Sequence, residues 1–300
     1  MSGIHHPVDC RIICQICNDW LTYSSLCVRS FIVTPDWLLH QINTIINEER
    51  ATPSPAPFWF ELTNAAACHN IQVLQMYDND IDACIRAHPN SIISYGSEYR
   101  STSSLHPLLM HHPRWPKFRS MLTAGSNWPL EAVEDEVRRS KNIELIEHGN
   151  HKSAVTYVDE LTSIIAKEVI QGFQLPIPIV KINNLPKSEV APVGIAKQWQ
   201  VSSNGTRSAK FRLTHDQSFN ASIGRSVNDR VREEELDEIF YRNCLSRTIH
   251  YIAALRIRHP QTAILCAKDD FKSAYHRTTL HGDTAAKCII TNDQLAFIGL

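Results

Sequence analysis

Ala263-Ile264-Leu265-Cys266-Ala267-Lys268-Asp269-Asp270-Phe271-Lys272-Ser273-Ala274-Tyr275-His276-Arg277 is the stretch on which the fold reading turns. Its first five residues form a short apolar run, the pattern of a buried strand. Two carboxylates stand at the end of that run, and an aromatic follows Asp270 five residues on. A buried strand ending on a carboxylate can present it to a hard divalent cation such as Mg²⁺. Such an ion takes oxygen ligands and keeps waters and substrate phosphates in the rest of its shell. One carboxylate is insufficient, so partners must come from elsewhere in the fold. A local alternative stands beside this: Asp269 and Asp270 cap the helix or turn that opens at Phe271. Tyr275, taken alone, reads as a half-buried core aromatic.

On the N-terminal side, Asp229 to Arg258 reads as one long helix ended by Pro260, with Leu236, Ile239, Phe240, Ile249, Ile252 and Leu255 as its apolar positions. Before it, Val193–Trp199 and Lys210–Thr214 read as two short strands, with the polar segment around Asn204-Gly205 as the hairpin tip. On the C-terminal side, Cys288-Ile289-Ile290 and Leu295-Ala296-Phe297-Ile298 read as a strand pair around Asn292-Asp293.

The first two thirds of the chain read as helical. Thr34-Pro35-Asp36 is a helix start, and Pro53, Pro55 and Pro57 mark a linker. Residues 58–85 suit a helical pair, whereas His88 to Pro129 lacks sustained periodicity and reads as irregular. Leu130 to His148 suits a helix closed by Gly149. Thr156-Tyr157-Val158-Asp159 reads as a capping-box-like start for a helix to about Gln171, closed by Gly172. Leu175-Pro176-Ile177-Pro178 forces an extended exit, and a domain boundary is expected between there and Ala191. No internal repeat is present.

Apolar residues make up 43% and charged residues 20%, ordinary values for a globular protein. No run of about 18 apolar residues suggests a membrane span, and Met1–Val8 lacks the pattern of a secretory signal. These features predict an intracellular protein, cytoplasmic or nuclear, with reduced cysteines. Cys14-Gln15-Ile16-Cys17 has zinc-pair spacing but no second close pair, and buried thiols are the favoured reading. His111-His112 reads as surface. The net charge of −1 conceals an asymmetry: residues 1–196 hold 15 basic and 20 acidic residues, residues 197–300 hold 15 and 11. The C-terminal part can therefore carry a basic groove for a phosphate backbone.

Asp270 to Arg277 resembles the first catalytic motif of reverse transcriptases from gypsy-like and related retroelements. In that family an Asp is followed five residues later by an aromatic that excludes a 2′-hydroxyl, here Asp270 and Tyr275. Asp269 stands where the family usually has an apolar or aromatic residue. Lys210-Phe211-Arg212-Leu213-Thr214-His215-Asp216 resembles the family's fingers strand, in which an Arg precedes an Asp by four residues. Gly224-Arg225-Ser226-Val227-Asn228-Asp229 resembles its Gly-x-Ser-[Val/Ile]-Asn-Asp element, whose local alternative is a helix cap. Gly149–Ser153 and the stretch around Trp115 resemble upstream parts of such elements and carry no assigned chemistry.

The resemblance implies an α+β chain: a helix-rich N-terminal region, then the fingers and first palm strand of a right-hand polymerase fold, incomplete. Residues 1–128 would form an N-terminal region with a Pro-rich linker near 52–57, residues 129–190 a helical connector, and residues 191–300 the fingers and partial palm. The implied function is RNA-directed DNA synthesis on a primer–template from deoxynucleoside triphosphates. Asp270 would bind Mg²⁺ or Mn²⁺, Tyr275 would gate the sugar, and Arg212 with Lys197 would hold the triphosphate. Lys210 competes with Lys197 for that role. The family's later aromatic-x-Asp-Asp motif does not occur before Leu300, so the 300-residue chain alone is expected not to extend a primer, and the metal is expected only in a complete domain. The alternative is a non-catalytic nucleic-acid-binding or assembly protein derived from a retroelement.

Overall fold

The computed structural model describes residues 40, 42–44, 47, 57–202, 204–236, 244–262, 264 and 278–300. They fold into both helices and antiparallel sheets, so the chain is of the mixed α and β class. It divides into two compact units, one of residues 48–235 with 275–300 and the other of residues 1–47 with 236–274.

The larger unit begins with helices α1 (Asn64–Gln75) and α2 (Ile81–Ala87), the expected pair. Thr63 and Asp80 cap them by accepting from Ala66 N and Ala83 N. The segment expected to be irregular contains two short helices, α3 (Thr102–Leu109) and α4 (Trp115–Ala124). Each is too short to show a period, and their prolines obscure the pattern: Pro107 lies inside α3 and Pro116 in the first turn of α4. Helix α5 (Asp135–His148) starts later than the sequence suggested, because Leu130 is drawn into a bridge with Val231. Gly149 closes it at φ 74°, its N–H donating to Leu145. The capping box at Thr156 does not form. Thr156 ends a separate short helix, α6 (Lys152–Thr156), and its hydroxyl donates back to the Lys152 carbonyl. Helix α7 (Val158–Ile170) then runs to Gly172, whose φ is 79°.

A three-stranded antiparallel sheet sits in the middle of this unit. Its strands are β1 (Gln174–Pro178), β4 (Ile289–Asn292) and β5 (Leu295–Gly299), in the order β1-β5-β4. Strand alternation sends Leu175, Ile177, Ile289, Ala296 and Ile298 to one face, where they pack with Ile71, Leu74 and Ile85 of α1 and α2. Ile290 and Phe297 point to the other face, against Leu161, Ile165 and Val169 of α7. Burial on both faces explains why these strands read as continuous apolar runs.

Strand β1 is the stretch expected to lead to a boundary; it pairs instead with β5, Leu175 opposite Ile298 and Ile177 opposite Ala296. Its prolines sit at edge positions whose missing N–H would face away from β5. The outward carbonyl of Pro176 accepts from Asn70 Nδ2 at 2.9 Å, and the same buried amide bonds both backbone groups of Trp59.

Strands β2 (Val193–Val201) and β3 (Arg207–His215) form a separate hairpin with the expected Asn204-Gly205 tip. The long helix expected from Asp229 is not continuous. Asn228–Arg230 and Glu233–Glu235 are single 3₁₀ turns on either side of the Val231 bridge. Arg230 is pulled inward, where Nη2 donates to both oxygens of Glu189 at 2.5 and 2.6 Å. Lys141 reaches the same carboxylate at 3.2 Å, and all three side chains are buried.

In the smaller unit, helix α8 (Cys244–Arg258) ends shortly before Pro260, as expected. His40, Ile42, Asn43, Thr44 and Asn47 are helical. The Thr34-Pro35-Asp36 start, the Cys14/Cys17 pair and the run from Leu265 to Arg277 lie outside the described residues.

Candidate nucleic-acid interface

The hairpin β2–β3 is anchored at its base by the segment after Gly149. Asn150 Oδ1 accepts from Val193 N at 3.0 Å while its Nδ2 donates to the Thr291 carbonyl at 2.7 Å, tying the hairpin to β4. His151 N donates to the Val193 carbonyl, and Ser153 Oγ accepts from Ile195 N. Gly194 belongs to the same joint: a Cβ there would lie 2.9 Å from Thr214 Oγ1 and 3.1 Å from Ser153 Oγ. Glycine lets the hairpin seat flush on α6. The polar run Asn150–Ser153 behind a helix-ending glycine is the signal in the sequence for this anchor.

Beyond the joint the hairpin runs into solvent, and its two faces differ. In an antiparallel pair, residues directly opposite share a face. Ile195 pairs with Leu213 and Lys197 with Phe211, so these four share the face turned toward α7. Ala196 pairs with Arg212 and Gln198 with Lys210, so these four occupy the opposite face. Burial along β3 follows this alternation: Phe211 and Leu213 are half-buried, Lys210, Arg212 and Thr214 exposed.

Lys197 stands among aromatic rings, its Nζ 5.8 Å from the centroid of Tyr157, 5.3 Å from Trp199 and 5.8 Å from Phe211. Arg207 lies over Trp199 at 4.5 Å. Trp199 is still 56% exposed. Cations beside accessible aromatic rings suit stacked bases and their phosphates. Trp199 and Arg207 were not singled out from sequence; the signal was Lys197, Trp199 and Val201 alternating on one strand.

Of the residues assigned to the triphosphate, Lys210 and Arg212 are brought together on one exposed face, two residues apart on one strand. Lys197 is not with them. Neither Lys210 nor Arg212 is paired with a carboxylate among the described residues. Asp216 is engaged elsewhere. It accepts from Ser218 N and sits 3.0 Å from His151 Nε2 at the hairpin base. Its neighbour His215 is buried, which lowers its pKa to about 4, although the Asp216 charge and the Ile289 backbone act to raise it.

The Gly224–Asp229 element wraps over α5 rather than opening a helix. Its Arg225 carbonyl accepts from Lys141 Nζ, Ser226 N donates to Asn220, and Ser226 Oγ accepts from Asp229 N. Asp229 is held below its ordinary value by the Ser226 side chain. Of the remaining candidates, His111 is exposed while His112 is half-buried, its Nδ1 accepting from Arg114 N.

Asp269, Asp270 and Tyr275 lie outside the described residues. Among the described residues, no group of three His, Cys, Asp or Glu side chains could hold a metal ion. No described helix is long and apolar enough to cross a membrane. Comparison of the chain with known protein families, with curated proteins and with solved structures finds no match.

Proposed function

We propose that the chain carries the fingers of a retroelement RNA-directed DNA polymerase, with β2–β3 as the hairpin that meets nucleic acid and the incoming deoxynucleoside triphosphate. The observation that supports this most directly is Lys210 and Arg212 side by side on an exposed face with no carboxylate claiming them among the described residues. A guanidinium offers two parallel donors to phosphate oxygens, and an ammonium two residues away adds a point charge. In this reading Lys210 replaces Lys197 as the partner of Arg212. Asp270 and Tyr275 keep the roles that their motif implies, metal ligand and sugar gate.

A second reading has its own observation. The Lys197, Arg207 and Trp199 face suits single-stranded nucleic acid without any chemistry, as a non-catalytic binding or assembly protein would need.

One set of variants ranks the two. The chain is titrated with a primed RNA template and, separately, with deoxynucleoside triphosphate. The polymerase reading expects Lys210→Ala/Arg212→Ala to lose triphosphate binding and Asp270→Asn to keep primer–template binding. Absence of triphosphate binding, with nucleic-acid binding that depends on Trp199 alone, would overturn it in favour of the second reading.

A further inference from the structure

Away from the hairpin, the loop from Asn127 to Val133 and the start of α5 meet Lys187, Glu189, Arg230, Arg232, Asp283 and Lys287 around a cavity of about 380 Å³. That is within the range of small-molecule sites, roughly 300–1,000 Å³. Five basic and four acidic side chains line it. Every one of those carboxylates is already engaged. Glu189 accepts from Arg230 and from Lys141. Asp283 accepts from Lys187 at 2.5 Å, Asp135 from Arg138 at 3.2 Å, and Glu131 from Arg225 at 2.5 Å.

Two cations are not taken by the carboxylates that line the cavity. Lys287 Nζ donates to the Asp283 backbone carbonyl at 2.7 Å and meets no carboxylate oxygen within bonding distance among the described residues. Arg232 reaches Glu235 through Nη1 at 2.5 Å, but its Nε is buried with no acceptor among the described residues. A buried charged donor without an acceptor is costly, and such donors are ordinarily satisfied by a partner, a water or an ion. Burial also lowers the pKa of Lys287, with the Asp283 and Glu189 charges opposing it, as expected for an ammonium in a wall already crowded with cations.

We propose that this cavity binds a small phosphate-bearing anion, held by Lys287 and Arg232. Phosphate fits this wall better than a carboxylate would. The two donor groups come from separate elements, and a tetrahedral anion offers three or four oxygens to reach both where a carboxylate offers two coplanar ones. Trp128 supplies an apolar wall on which the organic part of a phosphate monoester can lie. This inference does not rest on the polymerase reading, since none of these residues belongs to the hairpin.

The test is calorimetric titration of the 300-residue chain with inorganic phosphate, against sodium chloride at the same ionic strength. Saturable binding is expected in the wild type. It should weaken about tenfold or more in Lys287→Met and in Arg232→Gln, each of which removes one charge-assisted bond. Lys287→Arg and the hairpin variant Lys210→Ala/Arg212→Ala should retain it. A parallel titration with a nucleoside monophosphate identifies the source: tighter binding than phosphate marks a monoester site, weaker binding a site for the free ion. A phosphate response no larger than that of chloride overturns the proposal whatever the variants do. So does unchanged affinity in both Lys287→Met and Arg232→Gln.

Discussion

Lys197 and Arg212 project from opposite faces of the β2–β3 hairpin, although Arg212 is the immediate neighbour of Phe211, the residue that Lys197 pairs with. A single step along a strand reverses the side-chain direction. Lys197 is thereby committed to the rings of Tyr157, Trp199 and Phe211, and Arg212 to solvent beside Lys210.

The two faces should behave independently in nucleic-acid binding. Lys210→Ala and Arg212→Ala are expected to be non-additive with one another, whereas Lys197→Ala and Arg212→Ala should add to within about 0.5 kcal/mol, the tolerance for sites without a shared partner. Removing a side chain that neutralises a phosphate should also lower the slope of log affinity against log salt by about 0.7–0.9. Double-mutant cycles in a fluorescence-anisotropy titration measure both. Strong coupling between positions 197 and 212 would contradict the geometry.

Glu189 faces two buried cations at once, Arg230 and Lys141. Glu189→Gln should therefore destabilise the larger unit by about 3–5 kcal/mol, the usual effect of leaving buried charge without its counterion. Urea unfolding followed by far-ultraviolet circular dichroism reads this out. A destabilisation under about 1 kcal/mol would mean that water already screens the cluster.

His215 links stability to acidity. Its folded pKa is about 4, below the ordinary 6.5, with burial as the main cause. As pH falls below 6.5 the unfolded chain takes up a proton that the folded chain refuses. The contribution is therefore complete above 6.5 and is lost progressively down to about pH 4. A shift of this size corresponds to at most about 3 kcal/mol. His215→Leu should flatten the stability–pH curve between 4 and 6.5 relative to wild type; parallel curves for the two proteins would refute the assignment.

Gly282, the first residue of α9 (Gly282–Ala285), touches α2 so closely that a Cβ would fall 2.3 Å from Asp82 N. The junction is held by Asp82, which accepts from Tyr95 at 2.5 Å and Arg86 at 2.7 Å. Burial works against the Asp82 charge, yet these bonds outweigh it and keep the carboxyl below its ordinary 3.8. Gly282→Ala should force backbone apart and cost about 1–3 kcal/mol. A thermal melt of this variant at the wild-type temperature would show that α9 shifts freely.

Elements whose side chains answer to their own backbone were legible in the sequence. Lys210 to His215 alternates because one face of the strand packs and the other does not, and Gly149 and Gly172 stop helices wherever they occur. What escaped was decided by distant partners. Asp229 has a good helix-start pattern, but Arg230 is drawn to Glu189 and Val231 to Leu130, and those long-range interactions override local propensity. Thr156 satisfies its hydroxyl one turn back within α6 instead of capping α7. Lys210 and Arg212 were singled out because their strand resembles a fingers strand, and the strand alternation that puts both on one exposed face was legible in the sequence. Their separation from Lys197 was not, because it depends on cross-strand register.

Strand β1 meets its ladder partner, β5, about 120 residues further along the chain, a separation that makes such pairings slow to form. During synthesis on a ribosome, Leu175 and Ile177 emerge long before Ala296 and Ile298 exist to cover them. Until then this proline-studded segment lacks the strand that covers its inner flank. The prolines at 176 and 178 block donation from the outer edge, and Asn70 occupies the Pro176 carbonyl there. That arrangement keeps the waiting segment from recruiting a stray strand on that side.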